Sequence, residues 1–312
     1  MSNKESYHHD NFFLCYYYTG DSMNENIIKN DFGPEDTYKL YRTVYEIIHP
    51  TISKKNISNY KIMIQEDLVP LRVFYPKKIS TITRVILYIH GKRWMINGFY
   101  SYKEVCERLV QEMDSLVIVL DYESNTYQKI VEQSYQTIKY LYQGLNRIGI
   151  EKENIITIGD SIGASILSSV VLIDKSMIKK EILLYPALDF NFKTKYPSME
   201  QNSQIDLLTM NHLQTYCNKY IDLRKYNSVM EEKDYNDWPD TLVITGDLDP
   251  LRDEIEEFTK RLRKTNKKSK YINIKFASHG FLNSKDEEAK DECFIEMKNF
   301  ILNKRRVVIP EK

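Results

Sequence analysis

The sequence predicts an α/β fold, a doubly wound and mostly parallel sheet of about eight strands with a helical cap. Eight short runs have strand character, and four of them are almost wholly apolar. Such apolar runs are typical of strands that are covered on both faces of a sheet. Helical patterns lie between most of these runs, and strands that alternate with helices form parallel sheets.

The strand runs fall into two kinds. Residues 61–65 and 71–75 alternate polar and apolar side chains, as half-buried strands do. The almost wholly apolar runs are 85–89, 116–120, 155–158 and 182–185, and two more strand runs lie at 242–245 and 271–276. The helical patterns between and after them are 105–111, 130–142, 162–172, 255–262 and 289–301.

Two segments depart from this rhythm. Residues 1–57 contain an aromatic cluster and then an amphipathic helical pattern that Pro50 ends, so a helical segment packed on the protein's own core is expected. Residues 58–312 form the main domain. Within it, residues 189–238 carry helical but no strand signals, which predicts an inserted cap.

Composition excludes several classes of function. Lysine plus arginine and aspartate plus glutamate both number 44, so the formal net charge is zero, and neither a nucleic acid nor an anionic membrane is an expected partner. No apolar run reaches the ~20 residues that span a bilayer. The four cysteines are far apart and suggest neither a zinc site nor a disulfide framework. We therefore predict a cytoplasmic protein without a metal or an organic cofactor.

The sharpest motif is Gly-Asp-Ser-Ile-Gly at residues 159–163. It directly follows an apolar strand run and directly precedes a helical pattern. A serine in such a tight strand-to-helix turn needs small neighbours, and the turn exposes its hydroxyl above the sheet. This context makes Ser161 the candidate nucleophile.

A serine hydroxyl is a weak nucleophile, so a base and an orienting acid are expected at the ends of later strands. Three acids, Asp247, Asp249 and Asp253, follow run 242–245, and the residues alone do not choose among them. Run 271–276 leads to His279, the one histidine placed after a strand and beyond these acids. The order serine, acid, histidine favours an acyl-transfer site.

The segment His-Gly-Lys-Arg at residues 90–93 ends another apolar run. Acyl transfer needs backbone N–H donors for the developing oxyanion, and a loop that leaves a strand beside the nucleophile can supply them. His90 is then expected to be structural and to fix this loop.

With these motifs the sequence resembles the hormone-sensitive-lipase-like branch of the α/β-hydrolase esterases. The resemblance extends from about residue 60 to residue 303. The family's Gly-Asp-Ser-x-Gly, Asp-Pro-Leu-Arg-Asp-Glu and His-Gly-Phe motifs are matched at 159–163, 249–254 and 279–281. The resemblance implies that Asp249 is the acid of a Ser161, Asp249, His279 triad. It also implies that residues 1–57 and the insertion together cap an acyl pocket.

The sequence departs from this family in the oxyanion loop. The family reads His-Gly-Gly-Gly, whereas Lys92 and Arg93 occupy the second and third glycine positions here. The resemblance assigns the oxyanion donors to the backbone N–H groups of Lys92, Arg93 and Ile162. Ile162 also replaces the usual alanine, so three bulky side chains are expected to crowd the acyl pocket.

The leading hypothesis is a serine carboxylic-ester hydrolase that acts on a small-molecule ester, with a short acyl chain. Two alternatives remain open. The chain is a ligand-binding protein on a hydrolase scaffold if the altered loop has lost catalysis, and an amidase or peptidase if the same triad cleaves amides. Both a monomer and a homodimer are compatible with the sequence.

Overall fold

The computed structural model describes residues 12–18, 28–31, 43–49, 56–64, 67–77, 82–91, 100–122, 126–203, 210–226 and 228–303. In these residues ten strands form one sheet. The strands are β1 (Phe12–Tyr18), β2 (Ile28–Asp31), β3 (Ile57–Ile64), β4 (Asp67–Phe74), β5 (Val85–Ile89), β6 (Leu116–Leu120), β7 (Ile155–Asp160), β8 (Lys180–Leu184), β9 (Asp240–Gly246) and β10 (Lys270–Ile274).

The sheet has the order β10-β9-β8-β7-β5-β6-β4-β3-β1-β2. The strands from β5 to β10 pair in parallel, whereas β4, β3, β1 and β2 join antiparallel. All eight strands expected from the sequence are present, and the prediction of a mostly parallel α/β sheet is confirmed.

Helices cover both faces of the sheet. They are α1 (43–48), α2 (Tyr100–Met113), α3 (Tyr127–Arg147), α4 (Ile162–Ile173), α5 (Pro197–Asn202), α6 (Met210–Tyr220), α7 (Arg252–Thr265) and α8 (Glu287–Ile301). Alternate residues of β5 enter two separate cores: Leu87 packs on the side of α1, α3, α4 and α7, and Ile86 packs on the side of α2 and α8. This double burial explains why the central strands are continuously apolar.

The N-terminal segment corrects one expectation. Residues 1–57 are not wholly helical, because β1 and β2 extend the sheet beyond β3. The run Phe-Phe-Leu-Cys-Tyr-Tyr-Tyr of β1 is rich in aromatic residues, which favour strands, and the edge of β3 offers unpaired backbone groups. The expected helix is present as α1, which contributes Val44 and Ile47 to the core.

The predicted insertion lies between β8 and β9. Its described residues contain α5, α6 and a short 3₁₀ turn at Val229–Glu231, and no strand. Buried Tyr226 and Ser228 both donate hydrogen bonds to the carbonyl oxygen of Leu188, at 2.9 Å each, so the end of the insertion packs back on its beginning. No helix in the described ranges is long and apolar enough to cross a membrane.

Candidate active site

The three candidate side chains meet at one edge of the sheet. Ser161 directly follows β7, Asp249 lies three residues beyond β9, and His279 follows β10. These strands run parallel, so their carboxyl ends lie at the same edge. Ligand sites of open α/β sheets form at this edge.

Two hydrogen bonds connect the three residues. Ser161 Oγ lies 2.9 Å from His279 Nε2, and His279 Nδ1 lies 3.0 Å from Asp249 Oδ2. Asp249 has no exposed surface, and the His279 side chain is 11% exposed. If Nδ1 carries the proton toward the carboxylate, Nε2 is free to accept the proton of the serine hydroxyl.

Of the three acids left open by the residues alone, Asp249 is the one that contacts His279. Asp253 accepts a hydrogen bond from the backbone N–H of Ser198 at 2.8 Å and pairs with Arg252 at 2.9 Å. Asp247 contributes its backbone carbonyl oxygen, which accepts a hydrogen bond from Arg252 at 2.9 Å. Asp249 is also the acid that the family resemblance implies.

The turn at Ser161 is strained and tightly packed. Ser161 has φ of 51° and ψ of −121°, a region that side-chain-bearing residues seldom occupy. A Cβ atom on Gly163 would lie 2.1 Å from the carbonyl oxygen of Ile89, and one on Gly159 would lie 2.7 Å from the backbone nitrogen of Ala164. The two glycines therefore let α4 approach the sheet closely enough to hold the serine at its position.

The carboxylate of Asp249 is fixed by its own turn. Its Oδ1 accepts a hydrogen bond from the backbone N–H of Leu251 at 2.8 Å, and the Thr245 hydroxyl donates to Oδ2 at 3.3 Å. The backbone N–H of Asp249 donates to the carbonyl oxygen of Gly246 at 3.2 Å. These contacts direct Oδ2 toward the imidazole.

Tyr185 forms a wall beside the histidine. It is fully buried, its ring meets the rings of His279 and Phe281 edge-on at 5.1 Å each, and its φ is 39°. Sequence reasoning does not give Tyr185 a role in the site. Its position in the sequence could have indicated a role, because Tyr185 directly follows β8, and β8 lies between the strands that lead to Ser161 and Asp249.

Only part of the predicted oxyanion hole lies in the described residues. Ile162 begins α4, so its backbone N–H is at a helix N-terminus, where developing negative charge is stabilised. Its side chain is 9% exposed. Lys92 and Arg93 lie outside the described residues, so their N–H groups stay a prediction.

The start of the predicted oxyanion loop is bound to the serine turn. Asp160 Oδ1 accepts hydrogen bonds from the Gly91 N–H at 2.7 Å and from the Tyr88 hydroxyl at 2.6 Å. Burial raises the pKa of Asp160, against the effect of these two hydrogen bonds. A Cβ on Gly91 would lie 2.6 Å from Asp160 Oδ2, so a glycine is needed at this contact.

His90 is held on several sides, as its expected structural role requires. Its ring stacks between Tyr102 and Tyr122, at 4.6 and 4.8 Å, and the Tyr122 hydroxyl donates to its carbonyl oxygen at 2.9 Å. His90 Nε2 is 3.4 Å from Asp121 Oδ1. Burial raises the pKa of Asp121, but its contacts with His90 and Arg72 outweigh this effect and lower the pKa to about 2.

The side chains described at the candidate site are not arranged as a set of metal ligands. Within the described ranges, no group of three or more His, Cys, Asp or Glu side chains is arranged to hold one. The side chains that meet at the site are instead a hydroxyl, an imidazole and a carboxylate in sequence, which is the arrangement that activates a serine by proton transfer.

Comparison with known proteins agrees with this architecture. A family model described as alpha/beta hydrolase fold matches residues 86–283, and the chain belongs to this family. The family expected from the sequence motifs is thereby confirmed. The structure is similar to that of a hyperthermophilic esterase from the archaeon Pyrobaculum calidifontis, with a TM-score of 0.71, 22% identity, and coverage of 86% of this chain and 89% of that one.

Two sequence relatives carry names that describe an activity. The chain is 24% identical over 289 residues to an arylesterase of Saccharolobus solfataricus. The alignment covers 88% of this chain and 91% of that protein. It is 28% identical over 202 residues to arylacetamide deacetylase of Rattus norvegicus. This alignment covers 60% of this chain and 49% of that protein. The chain thus matches about half the length of the rat enzyme.

Proposed function

We propose that this protein is a serine hydrolase that cleaves small carboxylic esters through an acyl-enzyme on Ser161. The observation that carries the proposal is the continuous hydrogen-bonded series from Ser161 through His279 to buried Asp249. Membership in the α/β-hydrolase family and similarity to an arylesterase support it. A protein that only binds a ligand has no need for all three groups in hydrogen-bond contact.

In the proposed acylation, His279 Nε2 removes the hydroxyl proton of Ser161 as the oxygen attacks the ester carbonyl. Asp249 holds the imidazole in the required tautomer and stabilises the imidazolium that forms. The carbonyl electron pair moves to oxygen, and the Ile162 N–H is one donor for that charge. When the tetrahedral intermediate collapses, His279 returns the proton to the departing alcohol.

Deacylation repeats these steps with water. His279 takes a proton from water, the resulting nucleophile attacks the acyl carbonyl, and the proton then passes to Ser161 as the carboxylic acid leaves. We include the N–H groups of Lys92 and Arg93 as the remaining oxyanion donors. The contact of Asp160 with Gly91 supports this inclusion, because it fixes the residue that precedes them.

We further propose a preference for short acyl chains. Ile162 follows the nucleophile, at a position where the family that the sequence resembles usually has the smaller alanine. Lys92 and Arg93 stand at positions where that family has glycine. We expect p-nitrophenyl acetate and butyrate to be hydrolysed faster than esters longer than octanoyl. Ile162→Ala is expected to shift the optimum to longer chains, as a chain-length series of kcat/KM values will measure. The reverse order in the parent enzyme would contradict this preference.

A fluorophosphonate probe tests the enzyme against the ligand-binding alternative. The expected result is one probe per molecule, located on the Ser161 peptide by mass spectrometry, together with hydrolysis of p-nitrophenyl butyrate. Both are expected to be lost in Ser161→Ala. Ser168→Ala, two helical turns away, removes a buried hydroxyl that donates to the carbonyl oxygen of Ala164, keeps the nucleophile and serves as the control. Folded protein that takes up no probe would favour the ligand-binding protein.

Amide cleavage is the second candidate, and the similarity to a rat protein named arylacetamide deacetylase favours it. The same three side chains serve both bonds, and only the leaving group differs. Parallel measurement of p-nitrophenyl acetate and p-nitroacetanilide compares the two. We expect the ester to have the higher kcat/KM. A higher value for the anilide would assign the protein as an amidase.

A cytoplasmic location remains part of the proposal and rests on the cysteine pattern of the sequence. Cys106, Cys217 and Cys293 are buried and unpaired, which suits a reducing compartment. Burial raises the pKa of all three thiols, so they are not expected to act as nucleophiles.

A further inference from the structure

The short helix α5 lies in the insertion and presents two buried polar side chains to the turn that carries Asp249. Ser198 has no exposed surface and Asn202 is 6% exposed. The two residues are four apart, so they share one face of the helix. Burial of an amide and a hydroxyl is costly unless both are hydrogen-bonded, and here both find partners in the same turn.

Asn202 binds the backbone at the acid itself. Its amide nitrogen donates to the carbonyl oxygen of Asp249 at 3.1 Å and to the carbonyl oxygen of Asp247 at 3.2 Å. One side chain therefore fixes the peptide groups of the acid and of the residue two positions before it.

Ser198 binds the next part of the turn. Its hydroxyl donates to the carbonyl oxygen of Pro250 at 2.8 Å and accepts from the backbone N–H of Asp253 at 3.1 Å. Its own backbone N–H donates to the Asp253 carboxylate at 2.8 Å. Together with Asn202, these contacts attach residues 247–253 to α5 at both ends.

We propose that Ser198 and Asn202 are positioning residues for the acid of the triad. They act through the backbone, because their contacts are to peptide groups of the turn and to the Asp253 carboxylate, and neither side chain contacts the Asp249 carboxylate that meets His279. The insertion thus does more than its expected role as a cap: it holds one member of the active site in place. This inference rests on the proposed function for its catalytic meaning.

A positioning role and a merely structural role predict different measurements. Loss of the Asn202 contacts lets the turn relax, so the carboxylate moves away from the imidazole. A displacement of about 1 Å can cost about 10²-fold in rate. The displaced Asp249 carboxylate also stabilises the His279 imidazolium less. The imidazole is then harder to protonate, and the acidic limb of the pH profile moves to lower pH. A variant that is only less stable keeps the parent's kcat and the parent's acidic limb when rates are expressed per folded molecule.

The test compares Asn202→Ala with Asn266→Ala. The Asn266 amide also donates to two backbone carbonyl oxygens, those of Trp238 and Pro239, at 3.0 Å each, but it does so at the opposite end of β9. Rates with p-nitrophenyl butyrate are measured across pH and divided by the active-site concentration from fluorophosphonate titration. Thermal unfolding gives the stability of each variant.

For Asn202→Ala we expect kcat to fall by about 10- to 100-fold, KM to change less than about threefold, and the acidic limb to move down by about one pH unit. Asn266→Ala is expected to lose similar stability with kcat within about twofold of the parent. Ser198→Ala is expected to repeat the Asn202 result more weakly, and Ser198→Thr, which keeps the hydroxyl, to recover most of the rate. Unchanged kcat and acidic limb in both alanine variants would overturn the inference.

A proton NMR measurement separates this inference from the proposed function. The proton between His279 Nδ1 and Asp249 is expected to give a downfield resonance in the parent protein, which weakens in Asn202→Ala but not in Asn266→Ala. If the parent hydrolyses no ester and takes up no probe, the proposed function fails while this comparison still tests the positioning role. An equally strong resonance in Asn202→Ala would overturn the positioning role alone. If Asn202→Ala does not fold, the pH profile of kcat and the downfield resonance are measured in Ser198→Ala instead, and the same outcomes apply.

Discussion

The turns that carry Ser161 and Asp249 both follow buried strands of one sheet, but they are held in different ways. The serine turn is fixed by its own residues and by the sheet: glycines at 159 and 163, a strained backbone, and a hydrogen bond from the Ser161 N–H to the carbonyl oxygen of Leu184 in the neighbouring strand, at 2.8 Å. The acid turn depends on Ser198 and Asn202, which come from an insertion some fifty residues earlier in the chain.

The comparison shows that the turns of one site are held in place by two different kinds of contact. The serine turn is a strand-turn-helix unit whose residues a short motif describes, and neighbouring strands of the same sheet hold its backbone. The acid turn is completed by tertiary contacts between separate segments. We therefore expect substitutions in the serine turn to act by steric clash, and substitutions around the acid turn to act by loss of alignment.

The largest expected effect is at the acid. Asp249→Asn is expected to lower kcat by about 10⁴-fold with little loss of stability, because an amide cannot hold the imidazole in the tautomer that accepts the serine proton. Asp253→Asn is the matched control, since its carboxylate contacts Ser198 and Arg252 rather than His279. We expect less than about a tenfold loss there. Equal losses in the two variants would remove Asp249 from its assigned role.

The next effect tests the steric nature of the serine turn. Gly163→Ala places a Cβ against the carbonyl oxygen of Ile89 and is expected to lower the free energy of unfolding by about 3 kcal/mol. Gly149 has φ of 95°, and no atom beyond its two chain neighbours lies within 4 Å of the position that a Cβ would take, so Gly149→Ala is expected to cost only about 1 kcal/mol of backbone strain. Urea unfolding measures both values. Equal costs would show that the close approach of α4 does not matter.

The smallest effect on the site is expected from the opposite end of the sheet. Glu181, near the start of β8, is fully buried, and burial raises its pKa to about 7, against hydrogen bonds from Trp238 and Thr241. A raised pKa means that its stability contribution is complete below the unfolded value, about 4.5, and is lost as pH rises through 7. Relative to Glu181→Gln, the parent is expected to lose about 3 kcal/mol between pH 4.5 and 8.

Urea unfolding of the parent and of Glu181→Gln at several pH values measures this difference, and ester hydrolysis at the same pH values provides the control. We expect kcat to be the same in both proteins, because Glu181 lies at the far end of its strand from Ser161. A stability difference that does not change with pH would contradict the raised pKa. A change in kcat would show that the two ends of the sheet are coupled.

The sequence could predict what depends on local pattern. Continuous apolar runs indicate the buried strands, and the short glycine-bracketed motif indicates Ser161 in its strained turn. His279 follows from its place after the last strand. Asp249 needs the family resemblance, because three acids share one turn and their distances to the histidine depend on how that turn folds.

Long-range contacts could not be predicted in this way. Nothing in the local pattern around Ser198 and Asn202 indicates that they bind a turn beyond the next strand. Likewise, the aromatic residues of β1 suit a strand, but nothing in the local pattern identifies its antiparallel partner β3. Pairing between distant segments is set by tertiary packing, which propensity and periodicity do not encode.

The most direct test of the central claim is covalent capture of the acyl-enzyme. A p-nitrophenyl dimethylcarbamate transfers a carbamoyl group that serine hydrolases release slowly. We predict one equivalent of nitrophenolate per active site and the carbamoyl group on the Ser161 peptide in mass spectrometry, with neither in Ser161→Ala. Carbamoylation at another residue, or an unchanged release of nitrophenolate in Ser161→Ala, would contradict the claim that Ser161 is the nucleophile.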